Sequence, residues 1–215
     1  MAEKVHDVGA QVSLAVPIEM NMRHGMPPIL KMQSLGMEPS LSVDVEVTQT
    51  ADFFTQMRVA MNMQRELVNQ MILANSMTQT TNLGPFYPPN QWPTPLAGTP
   101  QLLTTRDVLR YATMNGAKAL RLDNKVGSLT PGKEADIIIL DATRLNVAPL
   151  NHVPGAVVSM MDRTNVETVI VAGKVRKWKG QLLGVDLNGL RQQLEASRDS
   201  IFAAAGIPQN LFDPH

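Results

Sequence analysis

Two short stretches near the start of this 215-residue chain hold the residues best suited to chemistry. The run SLSVDVE, residues 40–46, alternates β-branched or apolar residues with small polar ones and brings a carboxylate, Asp44, close to its end. A carboxylate there either caps the strand end or holds a metal ion, and the run itself admits both. The stretch IEMNMRHGMPP, residues 18–28, gathers Glu19, Arg23 and His24 before Pro27 and Pro28 stiffen its exit. A carboxylate and an imidazole on one loop can orient a polar substrate, and either can equally face solvent. Cysteine is absent, which excludes disulfides, cysteine-based zinc sites and thiol nucleophiles.

The elements around these residues alternate. Residues 9–17, GAQVSLAVP, read as a short strand ended by Pro17, which opens the loop carrying Glu19 and His24. ILKMQSLGM predicts a short helix stopped by Gly36. The run 40–46 predicts the next strand. A longer helix follows, with Phe54, Met57, Met61, Val68 and Met71 near one face and Asp52 as its cap. Methionine fills irregular core gaps, so this stripe reads as packing rather than as a thioether metal site. Strand–helix alternation argues for parallel strands joined by crossover helices, and chemistry in such folds sits at the carboxyl ends of the strands. Asp44 lies at that end.

Farther along, residues 75–103 hold six prolines and the aromatics Phe86, Tyr87 and Trp92 without a sustained period, and read as a packed loop or lid, with a disordered linker as the alternative. Thr104 with Asp107 resembles a capping box for a helix carrying Val108, Ala112, Ala119 and Leu122. A Pro131-Gly132 turn leads to a buried strand at Ile137–Leu140, and VETVIVAGKVRKWKG reads as a hairpin turning at Ala172-Gly173. A terminal amphipathic helix places Leu187, Leu190, Leu194 and Ile201 on one face and stops at Gly206.

Nineteen basic residues balance nineteen acidic ones, and the only dense basic run is KVRKWKG at 174–180, so a nucleic-acid partner is not expected. No apolar run approaches the roughly 20 residues that span a bilayer, and the start lacks a secretory layout, so the expectation is no membrane partner and a cytoplasmic location.

ATMNGAKALRLDNKVGSLTPGKEADIIILD, residues 112–141, followed by VETVIVAGKVRKWKGQLLG, resembles the C-terminal region of the amidohydrolase superfamily, nearest its cytosine deaminase, chlorohydrolase and adenosylhomocysteine deaminase branch. The resemblance extends back through SLSVDVEVTQTADFFTQMRVAMNMQR and covers about residues 10–185. It implies an α/β fold: the last strands and helices of a (β/α)8 TIM-type barrel over residues 1–125, including the Pro-rich loop, and part of a small β-sandwich over 126–185. A C-terminal helix and tail would occupy 186–215. It also implies a hydrolase of non-peptide carbon–nitrogen bonds, acting on a small heterocyclic or aromatic amine with a divalent metal, zinc or iron. Asp44 matches the family aspartate that binds the metal and takes a proton from the attacking water, and Glu19 and His24 become substrate-binding candidates.

Three departures accompany the resemblance. The four histidines, His6, His24, His152 and His215, form no HxH pair, which the family carries on its first barrel strand. Aligned on Pro17, Ala15 stands where many relatives have histidine. A full barrel needs about 250 residues, whereas the two apparent barrel strands lie within residues 9–46. The expectation is therefore the C-terminal fragment of a longer enzyme, inactive alone. The alternative is a truncated product that serves as an interaction module, or that needs a second copy or an N-terminal complement.

Overall fold

A computed structural model of the chain describes residues 2–46, 49–76 and 98–208. The expected lid, with Phe86, Tyr87 and Trp92, lies almost wholly outside the described residues. The chain is α/β, with two separate sheets. After α1 (Ala2–Asp7), β1 (Ser13–Leu14) and β2 (Ser40–Leu41) pair in parallel, Ser13 opposite Ser40 and Leu14 opposite Leu41. The crossover between them carries α2 (Val16–Asn21) and α3 (Ile29–Ser34). Next come α4 (Phe53–Ser76), α5 (Thr105–Tyr111) and α6 (Met114–Ala119). Then β3 (Ile137–Leu140), α7 (Val153–Ser159), β4 (Val166–Val171), β5 (Lys174–Trp178) and β6 (Gln181–Leu182) lead to α8 (Leu187–Ala205). The strands β3 to β6 form an antiparallel sheet in chain order.

The core forms where the parallel pair meets the helices: Leu14, Val16, Ile29, Met32 and Leu41 pack with Met57, Ala60 and Met61 of α4, Val108 of α5 and Val158 of α7. The methionine face expected on α4 is buried as far as Val68, while Met71 reaches the surface at 38% exposure. Asp52 caps this helix, its carboxylate accepting the Thr55 N–H at 2.7 Å and the Thr55 hydroxyl at 2.8 Å. At the end of α3, Gly36 has φ 68° and the N–H of Met37 returns to the Met32 carbonyl, closing the last turn as its glycine foretells. The β4–β5 hairpin turns through Ala172 and Gly173, with φ 47° and 75°, the doubly left-handed turn that matches strand twist.

Three expectations are corrected. Pro17 does not end a strand and open a loop; it sits in the first turn of α2, where an amide lacking N–H loses no helical hydrogen bond. The helix expected from Thr104 onward breaks at Thr113, whose hydroxyl bonds back to the Leu109 carbonyl at 2.7 Å, so α5 and α6 are separate. Asn115 then ties α6 to the Pro39 carbonyl at 3.0 Å. Finally, β3 is not buried: the adjacent Ile138 and Ile139, on opposite faces of the sheet, are 55% and 44% exposed, and Val175 on the inner strand β5 is 41% exposed, so the described residues leave both faces of this sheet largely uncovered.

The capping box of α5 is present in full. The Thr104 hydroxyl accepts the Asp107 N–H, and the Asp107 carboxylate accepts the Thr104 N–H at 2.8 Å. Burial works against ionisation of Asp107, but hydrogen bonds from the Thr104 hydroxyl and N–H, together with the Arg110 charge, outweigh it and hold the carboxyl below its usual range. A carboxyl whose pKa falls on folding stabilises the fold above the unfolded value of about 3.9 and loses that contribution as pH drops through the folded value. Thr104→Ala is expected to cost about 1 kcal/mol in urea unfolding at neutral pH, with a smaller penalty in acid.

Candidate functional site

The parallel pair sets the geometry. Pairing continues one residue past β2, since the Ser42 N–H donates to the Leu14 carbonyl at 2.9 Å. Because the strands run the same way, the segment leaving β1 and the segment leaving β2 emerge on one side of the pair. Ala15 and α2 follow β1 there, and Ser42 to Asp44 follow β2.

Asp44 is exposed and adopts φ 66°, a left-handed backbone that aspartate tolerates better than branched or bulky residues. The strand is thus Ser40–Leu41 rather than the whole run 40–46, and the chain bends away at the candidate residue. The Asp44 N–H donates to the Ser42 hydroxyl at 3.1 Å, which fixes the bend. A capping role for the side chain would require it to accept backbone N–H groups, as Asp52 and Asp107 do. The hydrogen bond at Asp44 uses its backbone N–H instead.

Glu19 is half-buried and spans the first turn of α2, accepting the Ala15 N–H at 2.9 Å. One of its oxygens therefore fixes the turn from β1 into α2. His24 is exposed, between Arg23 with φ 57° and Gly25 with φ 96°, at a sharp reversal before Pro27. Among the described residues no three His, Cys, Asp or Glu side chains gather closely enough to hold a metal ion, so Glu19, His24 and Asp44 do not form such a group.

A cleft of about 530 Å³ lies between the end of α3, residues 98–103 and α5. Arg110 pairs there with both Glu38 and Asp107. Burial, reinforced by the Glu38 and Asp107 charges and opposed by Arg110, pushes the Tyr111 hydroxyl up to about 12. Glu38 precedes β2, so this cleft adjoins the amino end of the strand, the side opposite Asp44, where residues of a βα fold serve stability. We assign its polar groups to the scaffold on that ground. Neither Glu38 nor Tyr111 carries a sequence signal for this cluster, since their contacts join segments about 70 residues apart.

Comparison with known proteins places this geometry in context. Residues 94–176 match the amidohydrolase family. A 5-methylthioadenosine/S-adenosylhomocysteine deaminase of Moorella thermoacetica is 33% identical over 46% of the chain and 23% of the relative. A 5'-deoxyadenosine deaminase of Methanosarcina mazei is 26% identical over 94% of the chain and 40% of the relative. Among solved structures, an adenosine deaminase of Xanthomonas campestris with bound zinc aligns with a TM-score of 0.73 at 23% identity, over 94% of this chain and 40% of that one. The chain spans less than half the length of these relatives.

Proposed function

From a chain that resembles the C-terminal portion of amidohydrolase-family deaminases, we propose part of a hydrolase that cleaves a non-peptide carbon–nitrogen bond in a small heterocyclic amine. The observation that carries this reading is the fold likeness across 94% of the chain to a zinc-bound adenosine deaminase, together with the family match at 94–176. In this reading β1 and β2 are the last two strands of a (β/α)8 barrel within residues 1–125. The sheet β3 to β6 is part of a β-sandwich within 126–185, and α8 with the tail forms the third region. A cytoplasmic location accompanies it; among the described residues no helix is long and apolar enough to cross a membrane.

The described residues do not by themselves fit a zinc or iron centre. Catalytic zinc sites use about three protein ligands, and no such group is present among the described residues. This chain's proposed share is Asp44, exposed after the carboxyl end of β2, as one carboxylate of a centre whose other ligands come from elsewhere in the enzyme. A carboxylate in that place also serves as acceptor for the proton of an attacking water. His24 is proposed to contact substrate from the loop after α2. Glu19, with one oxygen on the Ala15 N–H, has a second oxygen for a substrate donor.

A second reading, in which the chain alone is inactive, is consistent with the lack of a three-ligand group among the described residues. Under that second reading the chain acts as an interaction module or needs a complementary chain. Reading the genomic DNA upstream of the Met1 codon separates the two. An in-frame segment bearing an HxH pair is expected; if neither that DNA nor an adjacent gene encodes one, the interaction-module reading replaces the enzymatic one.

A further inference from the structure

The helix α8 runs for 19 residues, opened by Asp186, whose carboxylate accepts the Gly189 N–H at 3.0 Å, and closed by Gly206 with φ 64°. Its capping is thus complete, yet none of its residues is buried. Leu187, Leu190, Leu194 and Ile201 are 54%, 46%, 62% and 63% exposed. An isolated helix of this length is marginal in water without a packed apolar face.

The pattern of that face says what kind of surface covers it. Leu187, Leu190, Leu194, Ser197, Ile201 and Ala204 follow one another at alternating steps of three and four residues. A helix that packs on a globular body carries a wider stripe, with a flanking position also apolar, whereas a stripe confined to these two positions is the seam of a helix pair. Here the flanks are polar over most of the length: Arg191 and Arg198 on one side, Gln193 and Ser200 on the other. Ser197 and Ala204 are small, which lets two backbones approach within the seam.

Charge selects the partner and its direction. If a second α8 runs parallel and in register, Asp186 of one copy comes beside Arg191 of the other, and Gln193 beside Arg198. An antiparallel pair instead sets Arg191 against Arg198, like against like. We propose that α8 pairs in parallel with the α8 of a second copy of this chain. The seam is under three heptads long, so the dimer is a weak, concentration-dependent one. This inference does not rest on the catalytic reading and survives its failure.

Sedimentation velocity on the whole chain from about 1 to 100 μM, a span that brackets micromolar affinity, is expected to show a monomer–dimer equilibrium. Leu194→Glu, at an exposed position, is expected to weaken dimerisation at least about tenfold with helical circular dichroism unchanged. Since the chain has no cysteine, single cysteines report direction without disturbing native thiols. Under mild oxidation Leu190→Cys, in the seam near one end, is expected to give a covalent dimer, whereas Gln192→Cys, on the outer face, is not. A monomer at every concentration overturns the proposal, as does a dimer indifferent to Leu194→Glu. A dimer that Leu190→Cys does not link overturns the parallel arrangement.

Discussion

In the hydrolase proposed to contain this chain, Asp44→Asn is expected to lower turnover by about 100- to 10,000-fold, the range lost with a proton-transfer group. The same change leaves stability within about 0.5 kcal/mol, as for surface substitutions in general. The asymmetry follows from the local structure. Asp44 is exposed and holds φ 66°, a backbone region that asparagine enters as readily as aspartate. The bend is fixed through the backbone N–H on the Ser42 hydroxyl, which the substitution leaves in place. What the change removes is one negative charge and one proton acceptor. Initial rates of ammonia release from a panel of small heterocyclic amines, measured beside a urea unfolding curve, separate chemistry from folding. Near-normal turnover takes Asp44 out of the mechanism.

Ile29→Ala has the largest expected effect on stability, about 2 to 5 kcal/mol. Ile29 opens α3, is fully buried, and packs in the cluster that joins the parallel pair to α4, α5 and α7. Truncation there removes apolar contact and leaves a cavity that surrounding Met32 and Met57 fill only in part. For a chain of this size each kcal/mol is worth roughly 2 to 4 °C, so the midpoint of thermal unfolding drops by about 10 °C. Met26→Ala, three residues earlier at a 63% exposed position, is the control and stays within about 0.5 kcal/mol. Because α3 lies in the crossover between β1 and β2, a larger effect at Ile29 than at Met26 also ties stability to the segment that leads to Asp44.

What could be read from the amino acids divides along a physical line. Signals that act within a few residues came through: the Thr104–Asp107 box, Asp52 at the start of α4, Gly36 and Gly206 at helix ends, and Ala172-Gly173 in the hairpin. Each is a backbone conformation or cap that the local residues decide. The α4 methionine face also came through, since a period of 3.6 residues records which side meets the core. The failures lie where distant contacts decide. Thr113 breaks a helix whose pattern ran on unbroken, and Asn115 then bonds to Pro39, 76 residues away. The run Ile137–Leu140 is apolar enough for a buried strand, but its exposure depends on what packs over the faces of the sheet, which the run itself does not encode.

At the candidate site the same division holds. The parallel relation of β1 and β2 was legible from strand–helix alternation and is present. The left-handed turn at Asp44 was not, because aspartate is common both in extended strand ends and in such bends. Nor was the bond between Glu19 and Ala15, since Pro17 read as a strand stop rather than as the first turn of a helix. That bond matters to the proposal. It commits one oxygen of Glu19 to holding the turn into α2, and so leaves His24 as the freer of the two substrate candidates.

The most direct test of the proposed place of Asp44 in a metal centre is an anomalous-scattering map, recorded at the zinc edge, from zinc-loaded crystals of the hydrolase proposed to contain this chain. The expected result is a zinc ion about 2.0 to 2.2 Å from an Asp44 carboxylate oxygen, with histidines from outside these residues completing the shell. A zinc ion fully ligated by other side chains, with the Asp44 carboxylate pointing into solvent, contradicts it.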